Sequence, residues 1–439
     1  MNRTIALALA CLLLPALAAA QTREQKVRAD KTKVEAAGFW IYNDLPQAYA
    51  EAKSSGKPIV VALRCIPCVD CVKLDDDLVD RNERLQRLLD QFVRVRVVSA
   101  NGLDLATFQF DTDQSFAVFL LNADGTIYGR YGTRSDHSHW ADDVSVEGLA
   151  KALEGALALH KQYPVNKAAL AAKKGPPPEF AAPEQYPRLK GKYGTQLNYE
   201  GNVVQSCIHC HQIGDAQRQH YRDESGTLPE EVLFSYPHPK AIGLILDPKE
   251  RATVIRVQAG SLAEQAGFRA GDVIEELEGQ PLLSMADVQW ILHHVPAGGG
   301  QVAATIRRRG KKGDLAIELP AGWRRLDDIS WRASSWELRR MALGGMFLKS
   351  ISPELRAERK LPEKGLALRI EHVGQYSPHD VAKRAGFKAG DVLLAFDGRT
   401  DFERETDVLH YSLNRQEKAP VSVEILRDGK RMTLLLPAK

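Results

Sequence analysis

Hydrophobic and polar positions change period several times along the chain. KPIVVALR, ending at Arg64, is a short continuous apolar run and reads as a buried strand. Positions 68–89 follow with helical spacing and acidic residues near their start. FVRVRVV at 92–98 alternates as a strand, and FAVFLLNADGTIYGRYG at 116–132 reads as a strand, an Asp-Gly turn and a second strand. Val146 to His160, rich in Ala and Leu, predicts a strong helix. Ahead of all this, Thr22 to Glu35 is charged and is expected to form a helical or loose leader. Beyond it, AAKKGPPPEFAAPEQYP holds five prolines, which can continue neither a helix nor a central strand, so 163–190 reads as a linker. From 191 to 236 apolar periodicity fades while His, Tyr and Gln accumulate; so short a stretch needs a staple, metal or cofactor to fold alone.

The C-terminal half contains an internal repeat. VIRVQAGSLAEQAGFRAGDVIEELEGQPL recurs as LRIEHVGQYSPHDVAKRAGFKAGDVLLAFDGRT, with AGF-x-AGDV shared at 266–273 and 385–392. Each copy continues as strand, Gly turn, amphipathic helix and two strands joined by a Gly turn. This resembles the bacterial PDZ domain, with one copy at 237–322 and another at 341–438, separated by a linker at 323–340. Asp272 and Asp391 are expected to cap the turn before a buried strand. A PDZ domain binds an extended peptide by adding it to a sheet edge, with a loop of backbone N–H groups holding its carboxylate. The matching loops contain Gly243, Leu244 and Ile245 in the first copy and Gly345, Met346 and Phe347 in the second, where glycine permits close backbone approach. The groove helices are SMADVQWILHHV and RETDVLHYSLN. The competing expectation is that the protein's own linker fills one or both grooves.

Composition narrows the class. A chain of 439 residues should hold roughly three or four units. The formal net charge of +3, with acids and bases interspersed, gives no reason to expect a nucleic-acid partner. Arg3, the apolar run 5–17 and the alanines at 18–20 form a secretory signal pattern over 1–20, and no later run approaches the ~20 apolar residues of a membrane span. The mature chain is therefore expected to be exported, into a periplasm, with no transmembrane segment. Without Cys11 five cysteines remain: Cys65, Cys68, Cys71, Cys207 and Cys210. In an oxidising compartment an odd number leaves one thiol reduced, bound or paired between chains.

Three of the five stand in VVALRCIPCVDCVKL as two overlapping C-x-x-C pairs. The order β-α-β, hairpin, helix over 38–162 is the thioredoxin arrangement, where a buried strand runs into a helix whose start stabilises a thiolate. Spacing from Lys57-Pro58 lands the thioredoxin pair on Cys68 and Cys71, whereas proline before the second cysteine points to Cys65 and Cys68. Phe116 or Ala117 replaces the cis-proline usual opposite such a pair, and Arg64 stands where a tryptophan is common. Redox exchange, metal binding by three thiolates on one helical arc, and an inert disulfide all remain open. SCIHCH is the C-x-x-C-H attachment signature of c-type haem, with Cys207 and Cys210 as thioether sites and His211 as proximal ligand. His220 or His238 would be a distal ligand, or the iron would be five-coordinate; zinc held by Cys207, Cys210 and one or two histidines, His211 and His220, or a plain disulfide, are the alternatives.

Neither G-x-S-x-G nor H-E-x-x-H occurs, and no Ser/His/Asp set points to a protease. The stretches RCIPCVDC, SFAVFLLNADGTIYGRYGTR, SCIHCHQIG and GWRRLDDISWRASSW together resemble the bacterial thioredoxin-7/PDZ domain-containing (seleno)protein family. The resemblance implies a multidomain chain: an α/β thioredoxin-like domain, a small C-x-x-C-H segment and two α+β PDZ domains. Some members are expected to carry selenocysteine in the first motif; if that position is Cys65, then Cys65 and Cys68 are the redox couple and Cys71 an accessory. The expected function is an exported thiol–disulfide and haem redox protein whose PDZ domains dock a polypeptide, with a further electron-transfer partner. Its rival is a non-catalytic envelope scaffold that binds peptides and uses its cysteines as disulfide or zinc clasps.

Overall fold

The computed structural model describes residues 21–64, 66, 82–114, 116–135, 142–332 and 334–437. The signal pattern at 1–20 and the cysteines Cys65, Cys68 and Cys71 lie outside the described residues.

The leader forms a regular helix, α1 (Arg23–Ala37). Thr22 and Gln25 close a reciprocal capping box at its start, and Gly38 ends it in the left-handed region at φ 62°. Its Glu24 carboxylate accepts the Val203 and Val204 amides at 3.0 and 3.1 Å, so the leader is tied to the distant cysteine segment.

A five-stranded sheet follows: β1 (Ile41–Tyr42), β2 (Ile59–Arg64), β3 (Val93–Val97), β4 (Phe116–Leu121) and β5 (Ile127–Tyr131), in the order β1-β3-β2-β4-β5. β1, β3 and β2 run parallel, and β4 and β5 are antiparallel to their neighbours. Both faces are covered, which explains why β2 and β4 are buried throughout and apolar except for Arg64 at the end of β2. α2 (Leu45–Ser55) buries Ala48 and Ala52 on one face, while α3 (Glu83–Leu89) and α4 (Val146–Lys161) cover the other with Leu85, Leu89, Leu149 and Leu153. The continuous β2 and the hairpin of β4 and β5 stand where the apolar runs put them.

The 163–190 segment is not a free spacer, contrary to its composition. It holds a short helix, α5 (Lys167–Leu170), and buries Leu170, Lys173, Tyr186 and Leu189 against the sheet domain. Its carbonyls take up donors that proline cannot supply: Arg130 Nη2 donates to Lys173 O at 2.7 Å and the Leu105 amide to Ala181 O at 2.9 Å. The 191–236 segment is likewise integrated. It contains α6 (Cys210–Ser225) and α7 (Glu230–Leu233). Ile208, Ile213 and Ala216 enter the core of the sheet domain, and Leu228, Leu233 and Phe234 enter the core of the second repeat.

In the first repeat β6 (Leu244–Leu246) pairs with β7 (Val254–Val257). β8 (Val273–Leu277), β9 (Gln280–Pro281), β10 (Gly300–Arg308) and β11 (Lys311–Leu319) form a sheet ordered β11-β10-β8-β9. α8 (Leu262–Gln265) and α9 (Met285–His293) complete it. In the second repeat β12 (Met346–Ser350), β13 (Leu368–Val373), β14 (Val392–Phe396), β15 (Val421–Arg427) and β16 (Lys430–Leu436) lie in sequence order. Helix α10 (Ser335–Leu343) begins inside the stretch read as a linker, 323–340, and buries Leu338, Ala342 and Leu343 in this repeat's core. It precedes α11 (Pro353–Glu358), α12 (Val381–Arg384) and α13 (Glu405–Asn414).

The repeated Asp has the structural role its position suggested. Asp272 accepts the Arg269 amide at 2.8 Å, and Asp391 accepts that of Lys388 at 2.9 Å. Each is also gripped by an arginine from the strand alongside, Arg308 or Arg427.

Candidate functional site

The parallel strands β2 and β3 end together at Arg64 and Val97, and the loop Cys207–Cys210 sits against those ends. Carboxyl ends of parallel strands are where open α/β sheets place their binding crevices. Local hydrogen bonds fix the loop there. Asn101 accepts the Ile208 amide at 2.8 Å and donates to Ser206 O at 2.9 Å, while the Ala100 amide donates to Ile208 O at 2.9 Å. Cys207 is buried in an apolar cluster with Val27, Ile66, Val98, Leu197 and Val203, and its Sγ faces Ile208 O at 3.7 Å. Cys210, half-buried, opens α6 at the positive end of the helix, where anionic sulfur is favoured. Together with Leu63, Arg64, Val97, Val98, Ile208 and His209 it lines a cavity of about 10 Å³.

The His209 amide donates to Gln212 Oε1 at 2.7 Å, ordering the helix start. The imidazoles of His209 and His211 lie parallel with centroids 5.7 Å apart. Burial, then the neighbouring His211 and Arg23, lower the His209 pKa to about 4; burial also lowers that of His211. Both rings are therefore neutral at neutral pH. Arg64 of β2 and Arg96 of β3, both buried, approach Asp30 of α1 at 3.9 and 4.0 Å.

Among the described residues, the surroundings of Cys207 and Cys210 lack the room a haem needs. A macrocycle linked to Cys207 and Cys210 needs a pocket of the order of several hundred Å³. The cavity beside them admits about one water, and the Cys207 side chain is enclosed by aliphatic groups. Nor does His220 join His211 as a metal ligand. Nine residues along one helix separate them by roughly 13.5 Å and turn them to opposite faces. His220 instead meets Glu179 at 2.9 Å, and His238, buried, faces Asp143 at 3.3 Å. Among the described residues no group of three or more His, Cys, Asp or Glu side chains is arranged to hold a metal ion.

The expected peptide loops are formed, but their surroundings differ from an open groove. Gly243 at φ 86° and Gly345 at φ 91° both stand in the left-handed region. A Cβ at Gly345 would fall 1.9 Å from His379 O, so only glycine fits. Leu244 and Met346 point into the cores, leaving backbone as what they can offer; Ile245 and Phe347 are partly exposed. In the second repeat the Leu348 amide of β12 donates to Glu405 Oε1 at 2.7 Å. Glu405, the first residue of α13, is buried and bound by Arg339 of α10 through both carboxylate oxygens, at 3.0 and 2.6 Å. Burial raises its pKa, and Arg339 opposes that rise. The chain's own carboxylate thus occupies an outward amide of the strand to which a peptide would add.

In the first repeat, α9 was expected to line a groove, yet its buried residues hold the domain to β5. Asp287 accepts the Arg130 amide at 3.2 Å and meets Lys173 Nζ at 3.1 Å, Ser284 Oγ donates to Arg130 O at 2.6 Å, and Thr133 pairs with Gln289. Trp290 lies under the Arg130 guanidinium at 3.7 Å and donates to Ala172 O. Sequence reasoning passed over Asp287, Arg339 and Glu405 because nothing local separates them from solvated helix charges. It also missed the packing of the Cys207–Cys210 loop against the end of β2, for which the density of polar residues around 191–236 was no guide.

Comparison with known proteins matches residues 40–123 to a thioredoxin-like family and residues 253–308 and 365–437 to PDZ domains. A probable periplasmic serine protease do/HhoA-like of Haemophilus influenzae is 28% identical over 239 residues, covering 54% of this chain and 44% of the relative. The periplasmic pH-dependent serine endoprotease DegQ of Escherichia coli is 30% identical over 149 residues, covering 34% and 29%. The chain thus spans less than half the length of these relatives. Among solved structures, the HtrA3 PDZ domain bound to a phage-derived ligand shares 18% identity at TM-score 0.17, covering 22% of this chain and 82% of that one. The HtrA-type protease AlgW with decapeptide shares 17% at TM-score 0.18, covering 31% and 48%. No helix among the described residues is long and apolar enough to cross a membrane. The chain thus carries one thioredoxin-like domain followed by two PDZ domains, the domain architecture of the thioredoxin-7/PDZ domain-containing family that it resembles.

Proposed function

We propose that this protein is an exported thiol–disulfide exchange protein whose PDZ domains dock the polypeptide on which it acts. The observation that carries the reading is the end of β2. Arg64, which precedes Cys65 directly, closes a buried parallel strand at the carboxyl edge of a thioredoxin-like sheet. That is the edge from which a C-x-x-C motif reaches a substrate disulfide. Export is supported by the signal pattern at 1–20 and by relatives named as periplasmic. Docking is supported by the two PDZ matches. The proteolysis named for the relatives is not carried over, because the shared stretch covers less than half of either relative.

The first motif holds the working thiols, with Cys65 and Cys68 as the couple and Cys71 as an accessory. Exchange starts when one thiolate attacks a substrate disulfide; the second cysteine then displaces the reduced substrate and closes the internal disulfide. The test is turnover of a disulfide-linked peptide by the exported full chain under a glutathione buffer. Cys65→Ser and Cys68→Ser should each fall to background with an unchanged circular dichroism spectrum. Activity retained in Cys65→Ser but lost in Cys71→Ser moves the couple to Cys68 and Cys71. Activity untouched by all three substitutions overturns the reading.

A further inference from the structure

The walls of a peptide groove in the first repeat are the loop before β6 and helix α9. One stretch of the thioredoxin-like domain is bonded to both. β5 ends at Tyr131, and the chain runs on through Gly132 to Ser135 in neither helix nor strand. Thr133, buried, pairs its hydroxyl with Gln289 of α9, whose Nε2 donates to Tyr236 O at 3.0 Å. Two residues on, Lys240 Nζ donates to Ser135 Oγ at 2.6 Å and to Asp143 Oδ1 at 2.7 Å. Lys240 stands in the short turn 239–242 that leads through Gly243 into β6. The other Asp143 oxygen accepts the Ser135 amide and hydroxyl, each at 2.7 Å, so the stretch and its carboxylate are held as one unit. The close fit continues beside the walls: a Cβ at Gly129 would fall 2.7 Å from Leu283 Cδ1, and one at Gly148 2.2 Å from Pro248 O. The second repeat differs. β12 is the edge of its five-stranded sheet, Phe347 is partly exposed, and Trp336 beside it is 43% exposed. The group on its Leu348 amide is Glu405 of the same repeat. A peptide entering there displaces one side-chain hydrogen bond, whereas one entering the first groove must displace a partner anchored on another domain.

We propose that residues 133–135 together with Asp143 are an internal ligand of the first PDZ groove, so that an outside polypeptide docks through the second PDZ domain alone. The inference rests on the docking function proposed above and says which of the two domains serves it. An internal ligand has the advantage of attachment: a free peptide at micromolar concentration competes with a segment whose effective concentration is of millimolar order. The first repeat then acts as a brace, which fixes the thioredoxin-like domain relative to the groove where the polypeptide is held.

The test is photo-crosslinking of the full-length chain with a pool of short peptides of randomised sequence, each with a free carboxyl terminus and a benzophenone beside it. Digestion and mass spectrometry locate the labelled residues. Labelling should fall on 345–350 and α13, with labelling of 243–246 and α9 lower by about tenfold or more. In Thr133→Val/Asp143→Asn, which leaves the first PDZ domain's own residues intact, labelling of 243–246 and α9 should rise about tenfold. Thr133→Val/Ser135→Ala, which keeps the carboxylate, covers the event that the first variant fails to fold. First-groove labelling that equals second-groove labelling in the unsubstituted chain, or that rises in neither variant, overturns the inference and leaves docking standing. No labelling of either groove in any of these chains removes the docking function and the inference with it.

Discussion

Glu405 shows how much one buried residue decides. Its carboxylate satisfies Arg339 and the Leu348 amide at once, in surroundings that exclude water. Removing one member of such a pair strands the other, at a cost of about 3–5 kcal/mol, whereas replacing both with apolar groups is often neutral. Arg339→Ala should therefore lower stability in denaturant titrations by that amount, and Arg339→Met/Glu405→Leu should recover most of it. The double variant also releases the Leu348 amide, so calorimetry should detect tighter binding of a carboxyl-terminal peptide to the second PDZ domain. Unchanged peptide affinity would show that Glu405 does not compete for that edge. Asp215 makes a pH prediction at the same scale. Burial raises its pKa to about 7, against the pull of Arg218. The folded state then holds a proton that the unfolded state, near the ordinary carboxylate value, releases, so this group's contribution to stability falls as pH rises from about 4 to about 7. Asp215→Asn should gain on the unsubstituted chain across that window in paired thermal melts. A difference that does not change with pH would refute the assignment.

At the scale of elements, what period and turn chemistry could express was legible. β2, β3, the hairpin of β4 and β5, and α4 stand where apolar runs, alternation and Asp-Gly put them. The two AGD turns were readable because Asp272 and Asp391 serve amides three residues away. The 163–190 strap and α10 were not readable, because their partners lie far off in sequence. Lys173 is fully buried only because Asp287, from another domain, meets it. Asp287→Ala should consequently cost about 3–5 kcal/mol by leaving that ammonium unpaired, and should loosen α9 from β5. Hydrogen exchange would show this as faster exchange at the Arg130 amide; slow exchange there in the variant would mean that the strap holds the interface alone.

The whole molecule is joined by a buried ionic cluster that no single domain contains. Arg332 binds Asp111 at 2.7 and 2.8 Å and approaches Asp327 at 3.6 Å, while Asp113 takes Arg218 of α6 at 3.0 Å together with the amide and hydroxyl of Ser334. Burial raises the Asp111 pKa; for Asp113 the two guanidiniums and Ser334 outweigh burial and lower it. The cluster thus spans the thioredoxin-like domain, the second cysteine segment and the entry to the second PDZ domain. Arg332→Ala should separate the thermal unfolding of these parts, giving two calorimetric transitions where the unsubstituted chain has one. A single transition, merely shifted, would show that the apolar contacts alone couple them.

Order and kind of domain were settled by local pattern, since strand period, helix period and glycine turns depend on neighbours a few residues apart. The cysteine spacings likewise named the candidate chemistries without choosing among them. Their surroundings are set by tertiary packing. Whether Cys207 borders a haem-sized void or a closed aliphatic cluster, and whether a groove amide meets solvent or Glu405, depends on segments brought together from across the chain. Burial and pairing are properties of those contacts, and for that reason only the folded molecule could decide them.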